Sequence, residues 1–248
     1  MITNKDAKFI KSLQLKKYRI REKAFVVEGE KNVQELLNSK LKINNLLITE
    51  DFLSRNQELI NKCQRPFELV TEKDLVKTGS FQSNAFALAV VSTPILPALH
   101  LNYGHFLAFD NIQNPGNLGT IIRIADWYGF SSILCSKDSV DAYNPKVISA
   151  SMGSFTRINV YYENLHEIIQ KTKLPVYGAT LSGNNVHDIT FGGDGIFLFG
   201  NESQGISPKL LSLITNQIKI PGYGQAESLN VAIATAVVCD NFRRGIPS

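Results

Sequence analysis

The stretch that decides the fold is "GIFLFGNESQGIS", residues 195–207. Its first half is a continuous apolar run, and its second half is a loop in which two glycines enclose Asn, Glu, Ser and Gln. A strand that is apolar at every position is typical of a parallel sheet covered on both faces. In open α/β sheets of this kind, ligands bind beyond the carboxyl ends of the strands. The stretch therefore predicts a fold class and the edge of the sheet that carries a site.

Strand and helix signals alternate on both sides of this stretch. The predicted strands from residue 104 onward are "HFLAFD", "SSILCS", "RINVYY", "PVYGATL", "GIFLFG" and "QIKIPG". We predict helices between them over residues 117–128, 144–152, 165–172, after Ser207-Pro208, and over 228–244. This pattern indicates a doubly wound α/β domain over residues 104–248. Pro94 and Pro97 lie in a segment of weak periodicity, which favours a domain boundary there.

The first 94 residues predict a smaller α/β domain with a mixed or parallel sheet. A helix is expected over residues 6–18 and another at "EKNVQELLNS", with strands at "AFVVEG", "INNLLIT", "FELVT" and "AFALAVVST". Residues 1–23 carry a net charge of +6, whereas the rest of the chain carries −2. Such a segment suits a polyanion, because each neutralised phosphate releases counterions. The alternative is a solvated helix face.

Composition excludes several protein classes. The 248 residues are 44% hydrophobic and 19% charged, as in an ordinary globular protein. The apolar runs are too short to span a bilayer, and the N-terminus lacks the apolar core of a signal peptide, so we expect a cytoplasmic protein without membrane contact. Three cysteines without a C-x-x-C pair and four scattered histidines predict no metal site.

Three glycine-containing loops follow predicted strands: residues 109–123 ("FDNIQNPGNLGTIIR"), 199–207 ("FGNESQGIS") and 220–230 ("IPGYGQAESLN"). Each has a structural alternative, since Asn117 and Ser228 are good helix N-caps and the glycines can relieve tight turns. Together they suit a neutral, hydrogen-bonding cofactor such as a nucleoside. No Walker A or G-x-G-x-x-G sequence is present, which argues against a nucleotide-dependent oxidoreductase.

The predicted helix that follows the first loop carries two conspicuous side chains. Arg123 lies among isoleucines, so it is either a snorkelling surface residue or a charge held for a partner. Trp127 is expected to pack in the core behind Arg123, with base stacking as the alternative.

At these residues the chain resembles a known family. "NPGNLGTIIR", "LFGNESQGIS" and "IPGYGQAESLNVAIATAVV" resemble, in order, motifs 1, 2 and 3 of the SpoU (TrmH) class of SPOUT methyltransferases. "KKYRIREKAFVVEGEKNVQELL" resembles the substrate-binding domain of many members, an α/β fold similar to certain RNA-binding ribosomal proteins. The resemblance implies a C-terminal α/β domain with a deep trefoil knot and an N-terminal RNA-binding domain over residues 1–94.

The resemblance also implies an activity: methylation of a ribose 2'-hydroxyl in ribosomal or transfer RNA by S-adenosylmethionine, in a homodimer. Members with this N-terminal domain often act on large-subunit ribosomal RNA. A non-catalytic RNA-binding protein of the same fold is the alternative, and the intact set of polar motif residues argues against it.

Site residues follow motif by motif. The polar active-site positions implied by the resemblance are Asn117, Arg123, Glu202, Ser228 and Asn230. The implied cofactor contacts are Thr180, Leu181, Gly200, Asn201, Gly205, Ile220 and Leu229. The basic segment contributes the expected RNA contacts Lys8, Lys16, Lys17, Arg19 and Arg21. A guanidinium is a poor base near neutral pH, so we expect Arg123 to act as a charged clamp rather than as the base of family proposals.

Overall fold

The computed structural model describes residues 2–245, so the expected domain limits at residues 1 and 248 lie outside the described residues. The chain forms two compact units. One consists of residues 2–96 together with Asp141–Arg157, and the other of residues 97–140 and 158–245. No helix within the described range is both long and apolar enough to cross a membrane.

The first unit contains a mixed four-stranded sheet in the order β1-β4-β2-β3. The strands are β1 (Ala24–Glu28), β2 (Ile43–Ile48), β3 (Glu68–Leu69) and β4 (Ala87–Ser92). Strand β4 is antiparallel to β1 and β2, and β3 is parallel to β2. The helices that precede and connect these strands are α1 (Asn4–Ser12), α2 (Lys16–Glu22), α3 (Glu30–Leu37), α4 (Glu50–Arg55), α5 (Gln57–Cys63) and α6 (Glu72–Thr78).

The single helix expected over residues 6–18 is wrong, because the chain breaks into α1 and α2. Leu13 is fully buried, and Leu15 has an extended backbone that ends the helical run. The Arg19 side chain donates to the carbonyl oxygens of Leu13 and Gln14 at 2.8 Å each. The break is therefore stabilised by hydrogen bonds that satisfy two carbonyls left without helical partners.

Both faces of the first sheet are covered, which explains why strand β1 is buried at every position. Phe25 and Val27 contribute to a core cluster with Ile148 and Phe155, whereas Val26 contributes to a second cluster with residues of α1 and α6. Successive strand residues point to opposite faces, so a strand between two cores must be apolar throughout.

The segment Asp141–Arg157 packs with the first unit although it lies far along the chain. Its helix α8 (Pro145–Ser151) begins at Asn144, whose side chain accepts from the Lys146 amide at 2.9 Å. The rings of Tyr143 and Phe25 lie 4.5 Å apart, centroid to centroid. The sequence predicted the helix but not its location, because periodicity does not record which core a helix covers.

The second unit is built on six parallel strands in the order β10-β8-β9-β5-β6-β7. They are β5 (His105–Phe109), β6 (Ser132–Ser136), β7 (Asn159–Glu163), β8 (Val176–Asn185), β9 (Gly195–Phe199) and β10 (Asn216–Lys219). The helices are α7 (Pro115–Trp127), α9 (Leu165–Lys171), α10 (Pro208–Leu211) and α11 (Val231–Arg244). The predicted parallel α/β fold is confirmed.

Candidate active site

The loops that follow β5 and β9 begin side by side at one edge of the parallel sheet. Phe109 and Phe199 are paired in register, and the Asp110 amide donates to the Phe199 carbonyl at 2.9 Å. The Asp110 carboxylate accepts from the Ser207 amide at 2.8 Å, which joins the far end of the second loop to the first. These bonds bring the first two motif loops together.

Helix α7 starts in a way that leaves Asn117 available to the site. The Asn114 side chain is the N-cap and accepts from the amides of Gly116 and Asn117 at 2.8 and 3.3 Å. Pro115 occupies the first helical position, where its missing N–H costs nothing. The structural interpretation of Asn117 as the N-cap is therefore wrong, and the Asn-Pro dipeptide was the signal that could have identified Asn114.

Helix α11 is likewise capped by a residue other than the expected one. The Asn230 side-chain oxygen accepts from the Ala232 amide at 2.9 Å. Ser228, which we considered as the cap, is exposed and makes no hydrogen bond to another described residue. The helix consequently starts at Val231, three residues later than predicted.

A chain of side-chain hydrogen bonds joins the three motif loops. Asn230 Nδ2 donates to Asn117 Oδ1 at 3.0 Å, and Asn117 Nδ2 donates to Glu202 Oε1 at 2.8 Å. The Asn230 side-chain oxygen accepts the capping hydrogen bond of α11, so its side-chain nitrogen must be the donor to Asn117. This sets which side chain donates and which accepts in both hydrogen bonds. Three of the five expected active-site residues therefore meet within this one chain, although they lie up to 113 residues apart in sequence.

Arg123 does not join this chain. It lies six residues after Asn117 on α7, which turns its side chain about 120° around the helix axis. The side chain is exposed and has no hydrogen-bond or ion-pair partner among residues 2–245. Its charge is consequently free to meet a group outside the described chain.

The loop after β9 folds back tightly on itself. Asn201 and Gly205 exchange two backbone hydrogen bonds of 2.9 and 3.0 Å, so five residues form a closed turn. A Cβ at Gly200 would lie only 2.0 Å from the backbone carbon of Gly205, and Gly205 itself has φ +67°. Gly200 therefore requires glycine, because any side chain would collide with the Gly205 backbone, and Gly205 favours glycine because its backbone is left-handed.

Three of the remaining expected cofactor positions have apolar side chains that are at least partly exposed. Leu181 and Leu229 are 73% and 50% exposed, and Ile220 is half-buried. Thr180 donates to the Ser182 carbonyl. Exposed leucines beside loops of glycine backbone match an adenosyl group, which needs apolar contact for its ring and neutral hydrogen bonds at its edge. The residues present thus fit the cofactor that the resemblance implies.

Trp127 is 84% exposed, so the prediction that it packs in the core is wrong. It lies four residues after Arg123 and therefore on the same face of α7. The buried face of α7 is formed instead by Leu118, Ile121, Ile122 and Ala125.

The expected RNA contacts divide into two groups. Lys8, Lys16, Lys17 and Arg21 are exposed. Arg19 is 4% exposed, and two of its nitrogens donate to Asp141 Oδ2 at 2.6 and 2.8 Å. The prediction that Arg19 contacts RNA is wrong, because its guanidinium is committed to this ion pair and to the carbonyls between α1 and α2.

A shifted pKa is found at the edge of the parallel sheet opposite the motif loops. Burial and the neighbouring Arg243 lower the pKa of His105, whose Nε2 lies 3.0 Å from Arg243 Nη2 at the start of β5. Within the described chain, no group of three His, Cys, Asp or Glu side chains could hold a metal ion.

Comparisons with known proteins agree with this geometry. The model of the SpoU rRNA Methylase family matches residues 104–240, and that of the MRM3-like substrate binding domain matches residues 4–84. The chain is 31% identical to the 23S rRNA (guanosine(2553)-2'-O)-methyltransferase RlmP of Bacillus subtilis, with 97% of this chain and 96% of that one covered.

Solved structures give the same result. An AdoMet-bound rRNA methyltransferase from Sinorhizobium meliloti superposes with a TM-score of 0.87 at 27% identity, over 100% of this chain and 97% of that one. A TrmH-family structure from Porphyromonas gingivalis superposes with a TM-score of 0.85 at 33% identity, over 98% and 99% of the two chains. With more than half of its length matched by the family model and a relative similar over nearly its whole length, this chain belongs to the SpoU rRNA methylase family.

Proposed function

We propose that this protein transfers a methyl group from S-adenosylmethionine to the 2'-hydroxyl of a ribose in structured RNA, with ribosomal RNA as the substrate class. The observation that carries the proposal is the hydrogen-bond chain Asn230–Asn117–Glu202, which joins all three motif loops at the carboxyl edge of a parallel sheet. Its composition, two amides and one carboxylate, suits the recognition of hydroxyl groups. The Bacillus subtilis relative, named as a 23S rRNA 2'-O-methyltransferase, supports the substrate class.

The cofactor is S-adenosylmethionine, which supplies an electrophilic methyl group on a sulfonium; the neutral thioether S-adenosylhomocysteine would leave, and the proton of the 2'-hydroxyl would pass to solvent water. Leu181, Ile220 and Leu229 would contact its apolar parts, and the backbone at Thr180 and Gly200 would offer hydrogen bonds, whereas the Gly205 N–H is already bonded to the Asn201 carbonyl. The match to an AdoMet-bound relative supports this assignment. The protein's own task is then to align the ribose oxygen and to stabilise the charge that develops on it.

Arg123 is the residue that we assign to charge stabilisation. Its guanidinium can bind the phosphate beside the target ribose with two parallel donors and stabilise the developing alkoxide. Asn117 and Asn230 would hold the ribose hydroxyls through their amides. Glu202 orients Asn117 rather than removing the proton, because its described partner is an amide donor. Ser228, exposed beside Leu229, would offer a hydroxyl to the same site.

A homodimer is part of the proposal. Arg123 and Trp127 share the exposed face of α7, and α11, which packs against α7, exposes Ile233 to 53%. Exposed tryptophan and isoleucine side chains are costly to leave in water and are typical of an interface. A second copy placed there would cover Trp127 and receive Arg123 near its own cofactor. The deep knot expected for the family belongs to the same proposal.

We further propose that residues 1–94 bind the RNA through the exposed cations Lys8, Lys16, Lys17 and Arg21, whereas residues 104–248 bind the cofactor and catalyse the reaction. The cations of α2 lie close to one another, since Lys17 and Arg21 approach the ring of Tyr18 at 4.9 and 4.8 Å. A ribosomal RNA substrate would place the enzyme in the cytoplasm.

The test is transfer of labelled methyl groups from S-adenosylmethionine to ribosomal RNA isolated from cells that lack the gene. The native chain should methylate one ribose, and Arg123→Ala should lose on the order of 100- to 1,000-fold in kcat, as for removal of an oxyanion donor. Arg55→Ala, which removes an exposed arginine of α4 outside the three motif loops, is the matched control and should retain activity.

Two outcomes would contradict parts of the proposal. Binding of both RNA and cofactor without any transfer would favour the non-catalytic RNA-binding protein. Arg123→Lys keeps the charge but loses the two parallel donors, so native turnover in that variant at unchanged RNA affinity would exclude the clamp.

A further inference from the structure

We infer that Asn201 is a positioning residue: it fixes the loop after β9, and with it Glu202, against the loop after β5. The resemblance implied a cofactor contact at this position instead. The inference rests on the proposed function, since it concerns how the same site is held in shape.

The side-chain oxygen of Asn201 fills the closed turn that it begins. Asn201 Oδ1 accepts from the amides of Ser203 and Gln204 at 2.9 and 3.2 Å and from the Ser203 hydroxyl at 2.9 Å. An amide oxygen has two lone pairs, so three donors already saturate it. This oxygen is therefore not available to a ligand, and its bonds hold the turn around Glu202.

The side-chain nitrogen of Asn201 reaches the other loop. Asn201 Nδ2 donates to the carbonyl oxygen of Asn111 at 2.7 Å. Asn111 has φ +58°, a left-handed backbone that is uncommon outside glycine, and its own amide donates to Ser136 Oγ at 2.8 Å. The Ser136 hydroxyl, which accepts from the Asn111 N–H, and the Asn201 side-chain amide, which donates to the Asn111 carbonyl, thus hold Asn111 in this conformation.

Two links consequently join the same pair of loops. The Asn201–Asn111 bond is partly buried, whereas the Asn117–Glu202 bond is exposed to water. A bond shielded from water is costlier to break, because its polar groups would lose a partner without gaining full hydration. The inner link therefore sets the position from which Glu202 reaches Asn117.

Asn201→Asp tests this directly, because it preserves size and the accepting oxygen but places a second oxygen against the Asn111 carbonyl. We expect kcat for methyl transfer to fall on the order of 10- to 100-fold, the loss that follows from misplacing a site group. The KM for RNA should not change, since the basic helices are untouched. Ser203→Ala removes only one of the three donors to Asn201 and is the control, with kcat within about twofold of native.

A double-mutant cycle separates positioning from general destabilisation. If Asn201 acts through Glu202, the double variant Asn201→Asp/Glu202→Gln should be no slower than Glu202→Gln alone. The inference would be overturned if the losses in kcat of the two single variants multiplied in the double variant, or if Asn201→Asp kept native kcat. If Asn201→Asp does not fold, Ser136→Ala, which releases Asn111 from the other side, takes its place in the cycle under the same criteria.

Hydrogen exchange gives a readout that does not depend on activity. Asn201→Asp should speed amide exchange in both residues 200–206 and residues 110–117, whereas faster exchange confined to residues 200–206 would overturn the inference. Absence of methyl transfer by the native chain would instead contradict the proposed function, whatever the exchange pattern.

Discussion

The basic helices α1 and α2 of the first unit and the edge of the second unit's sheet that carries the motif loops were both identified from residue type. They differ in how many of the expected residues lie where the sequence predicted them. At the loop edge, Asn117, Glu202 and Asn230 meet although they are distant in sequence. In the basic helices, Arg19 lies among the other cations in sequence yet is withdrawn into the interior. Parallel strands bring their carboxyl ends to one edge, whereas a run of cations carries no such geometric constraint.

The two units also differ in how their cores are completed. The second unit covers its sheet with its own helices, whereas the first takes Ile148 and Phe155 from the segment Asp141–Arg157. Deletion of the N-terminal residues therefore does more than remove an RNA-binding surface, because it also leaves that segment without a core.

The largest effect is expected from such a deletion. A chain that begins at Pro97 keeps the core of the second unit, so it should still unfold cooperatively, but its thermal midpoint should fall because Ile148 and Phe155 lose the sheet that buries them. The same truncation with residues 141–157 replaced by a short Gly-Ser linker should recover a higher midpoint, measured by calorimetry. An equal midpoint in the two truncations would show that the segment does not depend on the first unit.

A smaller effect, on stability, is expected at Arg19. Arg19→Ala leaves Asp141 partly buried and unpaired, so unfolding free energy should fall by about 3–5 kcal/mol, as for other broken buried pairs. Lys17→Ala is the control: its stability should be native, but the slope of log K against log salt for RNA binding should decrease by about 1. A native stability for Arg19→Ala, together with a reduced salt slope, would return Arg19 to the RNA-binding surface.

The smallest effects on stability are expected at two asparagine N-caps. Asn114→Ala and Asn230→Ala should each cost about 1 kcal/mol, because each removes an N-cap of a helix. Only Asn230→Ala should also lower kcat, since only Asn230 donates to Asn117. Native kcat in Asn230→Ala would mean that the hydrogen-bond chain has no part in catalysis.

Much of the fold and part of the site were predictable from local patterns. The alternation of strands and helices predicted both sheets, and the position of the polar loops after strands predicted the edge at which Asn117, Glu202 and Asn230 meet. Boundaries and caps were less well predicted: α1 and α2 were merged, and Asn117 and Ser228 were considered as caps in place of Asn114 and Asn230. These errors are local, since each depends on which of several nearby polar groups reaches an unpaired backbone group.

By itself, the sequence determined the fold class, the order of elements and the edge that carries the site, because apolar spacing and glycine loops act over a few residues. Only the tertiary structure decided that Arg19 is buried, that Trp127 is exposed, and that the segment Asp141–Arg157 completes the first core. Periodicity records which residues are apolar, but burial depends on whether another element covers them, and the covering element can lie more than a hundred residues away.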